Sequence, residues 1–310
     1  MPLVTAKKIG RIAVKIAHSI VDFTVLTVIL LLVIFSVYAI WDSEQVYQAA
    51  NAAQYAVYKP SPEDSISFAE LQEINLEVFC WLTVYGTNID YPVTQGLDNM
   101  KYVSTNVRGT YSVSGSIFLD YMNNPDFQDF NSILYGHHME KQAMFGDLGL
   151  FSSKSFFEGH LYGNLYYGGQ DHGLEFFAFL EADAYDENVF APGVRGREAQ
   201  QKYLRGLLEK AMYIRDIGVT IEDHILLLTT CSSDTTNGRD ILVARITDEC
   251  YSDPFKKEEK SDTDGQVSED DQLSSREIFP VWLQIALPVL LLILLVIAIY
   301  HICRKSRAQE

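Results

Sequence analysis

Cysteine is scarce in this chain of 310 residues, which contains only four. A small disulfide-stabilised scaffold would need a much denser cysteine pattern, so that class of protein is excluded. Cys80 and Cys250 could form one bridge or remain two unpaired thiols, and the sequence leaves both alternatives open. Cys303 lies at the edge of a C-terminal hydrophobic run, apart from the others. No internal repeat is visible.

Basic residues are also few between the two hydrophobic ends of the chain. Residues 42–278 hold 17 lysines and arginines against 39 aspartates and glutamates, a net charge of −22. Proteins bind nucleic acid through basic contacts with phosphate, so a nucleic-acid partner is excluded. The acidic charge suits a solvated domain outside a cell, but it does not specify a fold.

Two long runs without charge flank this acidic region, at residues 23–41 and 281–300. Each is long enough to cross a hydrocarbon core of about 30 Å at about 1.5 Å per residue. Basic residues precede the first run and follow the second, so both termini are predicted to be cytoplasmic and the region between them extracellular. A cleaved signal peptide is the alternative, with Ala50-Asn51-Ala52 as its small-residue site, but 19 residues exceed the usual apolar core of such a peptide.

Composition divides the chain into seven predicted segments. Pro60 and Pro62 interrupt a helical stretch that follows the first run. Thirteen of the 26 residues from 252 to 277 are charged, which favours disorder. The predicted segments are a cytoplasmic basic tail (1–19), a transmembrane signal-anchor helix (20–41), an extracellular helical or linker segment (42–67), a globular domain (68–251), a charged flexible linker (252–278), a second transmembrane helix (279–303) and a cytoplasmic tail (304–310).

The globular region is rich in predicted strands. Residues 197–214 break the pattern, because apolar residues recur there at the three- to four-residue spacing of an amphipathic helix. Residues 123–130 are expected to form a loop or a short helix. Many strands and one inserted helix predict a mainly β fold, a closed or nearly closed barrel. The predicted strands cover residues 78–84, 116–119, 131–135, 161–167, 174–182, 225–230 and 241–246.

Three side chains at predicted strand ends could perform acyl transfer. Cys231 closes the apolar run 225–230, Arg239 follows eight residues later, and His137 stands at the end of the run that begins at Asn131. A thiol attacks a carbonyl as its thiolate, and a histidine in reach can protonate the leaving amine. Arginine never gives up its proton, so its role would be to hold a carbonyl or a developing oxyanion. These are the components of a cysteine transpeptidase.

Each of these residues also has a purely structural interpretation. Cys231 could be a small buried hydrophobe, and Arg239, after Asn-Gly, a solvated hairpin residue. His137 and His138 could bind a metal together, although no third ligand has convenient spacing. His138 would face the opposite side of a strand from His137.

Four segments together resemble class B sortases. Trp81 followed by Gly86-Thr87-Asn88-Ile89-Asp90-Tyr91-Pro92-Val93 resembles the opening strand of a sortase barrel. The segments 131–139 and 144–148 resemble the class B histidine segment. Leu227-Leu228-Thr229-Thr230-Cys231 resembles the family's Thr-Leu-X-Thr-Cys signature, and Asn237-Gly238-Arg239 opens the last strand as in that class. The sequence departs from the family pattern at Leu227, in place of threonine, and at Cys80, where glycine usually precedes the tryptophan.

The resemblance implies a sortase-type closed β-barrel of about eight strands. It implies Cys231 as nucleophile, His137 as the catalytic histidine and Arg239 as the electrostatic clamp, with Thr229 and Thr230 beside the substrate groove. No cofactor and no metal are expected. The implied substrates are secreted proteins with a C-terminal sorting signal of the Leu-Pro-X-Thr-Gly or Asn-Pro-X-Thr variety. The acyl acceptor would be a peptidoglycan precursor (wall anchoring) or a pilin lysine (pilus assembly), and the remaining partner is the lipid bilayer.

Two other classes of function remain open. A different thiol hydrolase of wall peptides usually carries its cysteine before its histidine and at a helix start, unlike this chain. A non-catalytic, membrane-anchored adhesion or sensing module is the second alternative. The chain is not expected to be a sortase substrate, because residues 270–280 contain no Leu-Pro-X-Thr-Gly-like pentapeptide.

Overall fold

The N-terminal part of the chain forms one long helix in the computed structural model, which describes residues 2–61, 66–231 and 237–256. Helix α1 spans Pro2–Ala50, and its portion Ala13–Ala50 is long and apolar enough to cross a membrane. Hydroxyl groups in this apolar stretch donate to carbonyls one turn earlier, as Thr24 does to Ile20 at 2.8 Å, so their polar atoms are satisfied within the helix. The predicted second membrane helix, residues 279–303, lies outside the described residues.

The chain divides into two compact units, of which one spans Gln45–Glu258. Two 3₁₀ turns, Ala52–Gln54 and Ala56–Tyr58, follow α1 and precede the prolines. Helix α2 (Ile66–Ile74) then buries Phe68 and Leu71 against the first strand region. Because α1 extends to Ala50, the prediction that the helix continues past the apolar run is confirmed up to that residue.

Nine strands follow within the described residues. Each of the seven strand predictions is confirmed: two match the observed bounds, and the other five differ by one to four residues at one or both ends. Strand β2 is absent from the list of predicted strands, although its residues 90–93 lie in the segment that resembles the opening strand of a sortase barrel. The strands are β1 (Val78–Val84), β2 (Asp90–Thr94), β3 (Ile117–Leu119), β4 (Asn131–Tyr135), β5 (Tyr162–Tyr167), β6 (Gln170–Asp183), β7 (Tyr213–Ile214), β8 (His224–Cys231) and β9 (Gly238–Thr247).

Eight of these strands close into a barrel. The order is β5-β1-β2-β3-β4-β8-β9-β6, and β5 pairs with β6 to complete the circuit, while β7 is a two-residue addition to β6. The pairs β2–β3 and β4–β8 are parallel, and the other pairs are antiparallel. The predicted closed barrel of about eight strands is confirmed.

Two helices interrupt the strand series. Helix α3 (Lys154–Gly159) precedes β5, and helix α4 (Arg197–Lys210) lies between β6 and β7. The predicted inserted helix was too long at its C-terminal end, because residues 213 and 214 form β7. Residues 123–130 form a loop, as expected.

Two apolar clusters lie on opposite faces of β4, β8 and β9. The first cluster includes Trp81, Leu134 and Leu228, fully buried among the strands. The second joins Ile133 and Leu227 to the apolar side of α4. Neighbouring residues in a strand point to opposite faces, so the alternation along β4 and β8 explains how these strands contribute to both clusters.

Candidate active site

The β8–β9 ladder brings two of the predicted catalytic residues together. Cys231 is the last residue of β8, and its Cα partner across the ladder is Arg239, near the start of β9. Directly opposite residues in antiparallel strands have Cβ atoms about 4.5–5.5 Å apart. The side chain of Cys231 lies outside what the structure describes, so the proximity rests on the backbone register.

His137 approaches the same end of the sheet from β4. Strand β4 runs parallel to β8, with Tyr135 opposite Thr229. The Gly136 N–H donates to the Thr229 carbonyl at 3.2 Å and extends the pairing beyond the strand. If the parallel register is extended by two residues along both strands, His137 lies opposite Cys231. The backbones of the three predicted catalytic residues therefore lie at neighbouring strand termini on one edge of the barrel.

A backbone carbonyl holds one nitrogen of the His137 ring. Nε2 of His137 lies 2.8 Å from the Val103 carbonyl oxygen. A carbonyl oxygen only accepts, so Nε2 carries a proton in this contact. Nδ1 is then the ring nitrogen that can exchange a proton with a reacting group. No sequence pattern pointed to Val103, which lies 34 residues upstream.

Arg239 is half-buried, and its Nη1 donates to the Gly238 carbonyl at 3.0 Å. Burial and the nearby Asp120 carboxylate raise the pKa of Tyr135 above its usual range, and the positive charge of Arg239 acts in the opposite direction. The Tyr135 hydroxyl donates to Asp120 at 3.0 Å. The guanidinium therefore shares a polar neighbourhood with Tyr135 and Asp120 at the end of β4.

Asp120 is a buried carboxylate that sequence reasoning missed. Its Oδ2 accepts from Asn99 at 2.8 Å as well as from Tyr135, and its Oδ1 accepts from the Met122 N–H at 2.9 Å. A buried carboxylate is costly unless it is hydrogen-bonded, and these three donors offset that cost. The only signal in the sequence was its position directly after the apolar run of β3.

Thr229 and Thr230, predicted to border the substrate groove, are both buried, with 1% and 2% of their surface exposed. Neither hydroxyl has a hydrogen-bond partner among the described residues. A buried unpaired hydroxyl costs about 1–3 kcal/mol. Their role in substrate binding stays a prediction.

His138 differs from its neighbour in its contacts. Its backbone pairs with that of Met144, and its Nδ1 is buried without a hydrogen-bond partner in the described part of the chain. Among residues 2–61, 66–231 and 237–256, no three His, Cys, Asp or Glu side chains are grouped to hold a metal ion. The metal-pair interpretation of His137 and His138 therefore gains no third ligand there.

The remaining described cysteines are unpaired. Cys80 is fully buried in β1, and burial raises the pKa of its thiol well above the usual value. Cys250 is exposed, and partial burial with the carboxylates of Asp171 and Asp248 raises its pKa too. Cys80 and Cys250 could have formed a disulfide or remained unpaired, and in the structure both are free thiols.

The sequence and fold are similar to those of known proteins. No family model matches the sequence. The chain is 33% identical over 181 residues to sortase B of Listeria monocytogenes, which covers 57% of this chain and 72% of the relative. It is 51% identical to the crystal structure of sortase B from the type II pilus of Streptococcus pneumoniae, with a TM-score of 0.52 over 59% of this chain and 99% of that one.

A class B sortase of Streptococcus pyogenes, described as involved in pilus biogenesis, is 39% identical, with a TM-score of 0.53 over 58% of this chain and 97% of that one. The matches to the Listeria relative and to both solved structures cover nearly three quarters or more of those proteins. The chain therefore belongs to the class B sortases and is an enzyme of the cysteine transpeptidase type.

Proposed function

We propose that Cys231, His137 and Arg239 are the catalytic residues of a transpeptidase that acts on C-terminal sorting signals. The observation that carries the proposal is the strand register, which brings the end of β8 (Cys231), the residues after β4 (His137) and the start of β9 (Arg239) to one barrel edge. The sorting signal would be of the Leu-Pro-X-Thr-Gly or Asn-Pro-X-Thr variety, on a secreted protein.

In the first half of the proposed reaction, the Cys231 sulfur attacks the threonine carbonyl of the sorting signal. A new C–S bond forms, the peptide C–N bond breaks, and the leaving amine takes a proton from His137. We assign that transfer to Nδ1, because Nε2–H is held by the Val103 carbonyl. Arg239 would stabilise the negative charge on the carbonyl oxygen while it is tetrahedral.

In the second half, an amine attacks the thioester. Its proton passes to His137, the C–S bond breaks, and the sulfur leaves as thiolate while a new amide forms. The enzyme returns to its starting state, and no cofactor takes part in either half. Wall anchoring and pilus assembly differ only in the amine, which is that of a peptidoglycan cross-bridge or that of a pilin lysine.

The pilin lysine is the acceptor we favour. Two of the structures that resemble this chain come from pilus systems, one of them at 51% identity. A competition between a lysine-bearing pilin domain and a short glycine peptide, read by mass spectrometry of the products, would test this choice. Preferential transfer to the glycine peptide would favour wall anchoring.

We further propose that the catalytic domain lies outside the cell with both termini cytoplasmic. The apolar helix Ala13–Ala50 supports an N-terminal anchor. The second span and the orientation rest on residues 281–300 and on the basic residues beside both runs. Accessibility of Cys250 to a membrane-impermeant thiol reagent on intact cells would test the orientation, and protection of Cys250 until the cells are lysed would contradict it.

The decisive experiment for the reaction is a search for the acyl-enzyme. The full chain in detergent would be mixed with sorting-signal peptides, and intact mass would be measured with and without an added amine. A thioacyl adduct on Cys231 that the amine discharges into a new product would support transpeptidation, with Cys231→Ala as the control. Hydrolysis that no amine diverts would favour a wall-peptide hydrolase, and binding without any adduct would favour a non-catalytic module.

A further inference from the structure

The loop that follows the predicted catalytic histidine is folded back on itself. We call residues 136–146 the histidine loop. The Phe145 N–H donates to the His137 carbonyl at 3.0 Å, and the Phe145 ring lies so close to Gly136 that a Cβ there would be 2.7 Å from it. The position of His137 therefore depends on the conformation of the rest of the loop.

This conformation is strained. Lys141, Gln142 and Met144 have φ angles of 57°, 61° and 54°, in the left-handed region that residues other than glycine seldom adopt. Residues held in such conformations persist only where surrounding contacts over-determine them. The histidine loop therefore needs contacts from outside itself.

The C-terminal end of helix α1 and Tyr91 of strand β2 supply such contacts. The Tyr91 hydroxyl accepts a hydrogen bond from the Met144 N–H at 3.0 Å and donates one to the Ala50 carbonyl at 2.9 Å. Tyr91, Ala50 and Met144 are 2%, 1% and 3% exposed, so water cannot replace either bond. Burial raises the pKa of Tyr91 to about 12, so the hydroxyl keeps its proton across the neutral range.

A second contact reaches the histidine loop from the C-terminal end of helix α1. The Lys141 ammonium lies 4.4 Å from the centre of the Tyr47 ring, within the range of a cation–π interaction. Asn88, in the β1–β2 turn, donates to the Gln142 side chain at 3.2 Å. All three left-handed residues of the loop are thus held by groups outside it.

We propose that Tyr91 is a positioning residue for catalysis, whose hydroxyl ties the C-terminal end of helix α1 to the histidine loop and so fixes His137. This inference rests on the proposed function of His137. A catalytic group displaced by about 1 Å can cost about 10²-fold in rate. Loss of the Tyr91 hydroxyl therefore lowers proton transfer by His137 while substrate binding is little affected.

The test compares two single-atom deletions in the full chain. Tyr91→Phe removes the bridge, and Tyr85→Phe removes a matched hydroxyl that donates to the Tyr251 carbonyl at 2.9 Å, away from the histidine loop. We expect Tyr91→Phe to lower kcat by about tenfold or more with KM changed less than about threefold. Tyr85→Phe should keep the wild-type kcat.

A second readout needs no substrate. The rate of Cys231 alkylation by iodoacetamide would be followed against pH by peptide mass spectrometry, with the exposed Cys250 of the same chain as internal reference. A thiolate paired with an imidazolium reacts at lower pH than an isolated thiol. We expect the Cys231 profile of Tyr91→Phe to move to higher pH, while the Cys250 profile stays unchanged.

The outcomes separate this inference from the proposed function. A wild-type kcat and an unchanged Cys231 profile in Tyr91→Phe, even with a lower Tm, would overturn the positioning role. Failure of wild-type protein to form an adduct with any sorting peptide would instead count against the proposed function, and the alkylation profiles would still decide the role of Tyr91. Should Tyr91→Phe not fold, the alkylation profile of Cys231 would be compared between Lys141→Ala, which removes the contact of the histidine loop with Tyr47 of helix α1, and the surface control Lys154→Ala. Equal profiles in those two variants would overturn the coupling between the end of α1 and the histidine loop.

Discussion

The two faces of strands β4, β8 and β9 differ in what they contact: one lines the barrel core, and the other packs in the cluster that includes helix α4. One face carries Leu134, Leu226, Leu228 and Leu242, all completely buried among the barrel strands. The other face packs Ile133 and Leu227 in the cluster that includes helix α4, and it ends in polar residues near Tyr135 and Arg239. The comparison teaches that the predicted catalytic residues lie where the apolar cover of the strands ends, while the opposite face holds the strands together in the barrel core.

Two cysteines offer the largest contrast between core and strand end. Cys231→Ala should lower both cleavage and transfer by about 10⁴-fold or more, because no other thiol is expected to attack the substrate. Cys80→Ala should keep turnover and lower only the Tm, since Cys80 is fully buried in β1. Turnover with a sorting peptide and thermal unfolding of both variants check this pair, and residual wild-type transfer in Cys231→Ala would refute the nucleophile.

Two adjacent histidines give the next largest contrast. His137→Ala should lower kcat by about 10²–10⁴-fold, because proton transfer to the leaving amine is lost. His138→Ala should keep most activity, since its ring stands one position further along the chain. Steady-state kinetics of the two variants decide between them. The reverse result would show that the catalytic imidazole is His138.

Two arginines on β9 sharpen the comparison along one strand. Arg239→Ala should lower turnover by about 10²-fold, like loss of an oxyanion donor. Arg245, six residues further, pairs with Glu175 at 2.5 Å, so Arg245→Ala should cost about 1–3 kcal/mol of unfolding free energy and leave turnover near wild type. Kinetics and chemical denaturation measure the two effects. Wild-type turnover in Arg239→Ala would contradict the clamp role.

The smallest effect is expected at the C-terminal end of the described domain. The Phe255 ring stacks on His160, with centroids 4.6 Å apart, although 45% of Phe255 is exposed. Phe255→Ala should therefore cost only about 1 kcal/mol of unfolding free energy and leave kcat unchanged. Tyr111→Ala, at a more exposed aromatic residue, serves as the control. Equal Tm values for Phe255→Ala and Tyr111→Ala would show that the stacking on His160 contributes nothing.

Strong local patterns made most of the fold predictable. The β-branched and apolar runs of β1 and β4 gave the strand bounds as observed, Val78–Val84 and Asn131–Tyr135. Strand β2 is missing from the predicted strands; it contains Pro92, which cannot donate a ladder hydrogen bond, yet Pro92 is the Cα partner of Trp81 in β1. Its stability comes from its neighbours in the sheet, and single-sequence propensity does not contain that information.

The candidate site was predictable in its reactive groups and not in its supports. Cys231 and Arg239 could be selected from the sequence because a cysteine and an arginine lie at the ends of predicted strands. Val103 and Tyr91 contribute a backbone carbonyl and a hydroxyl from distant parts of the chain, and neither has a distinctive pattern in sequence. Phe255 likewise lies in a stretch predicted to be flexible linker, but its ring packs against the domain. Such contacts depend on tertiary structure.

The most direct test of the account is a crystal structure of the enzyme trapped with a sorting-signal peptide. The account predicts a covalent bond from the Cys231 sulfur to the threonine carbonyl carbon, with the carbonyl oxygen within hydrogen-bond distance of Arg239 and the His137 ring beside the sulfur. A Cys231 sulfur enclosed in the barrel interior, out of reach of both side chains, would contradict it.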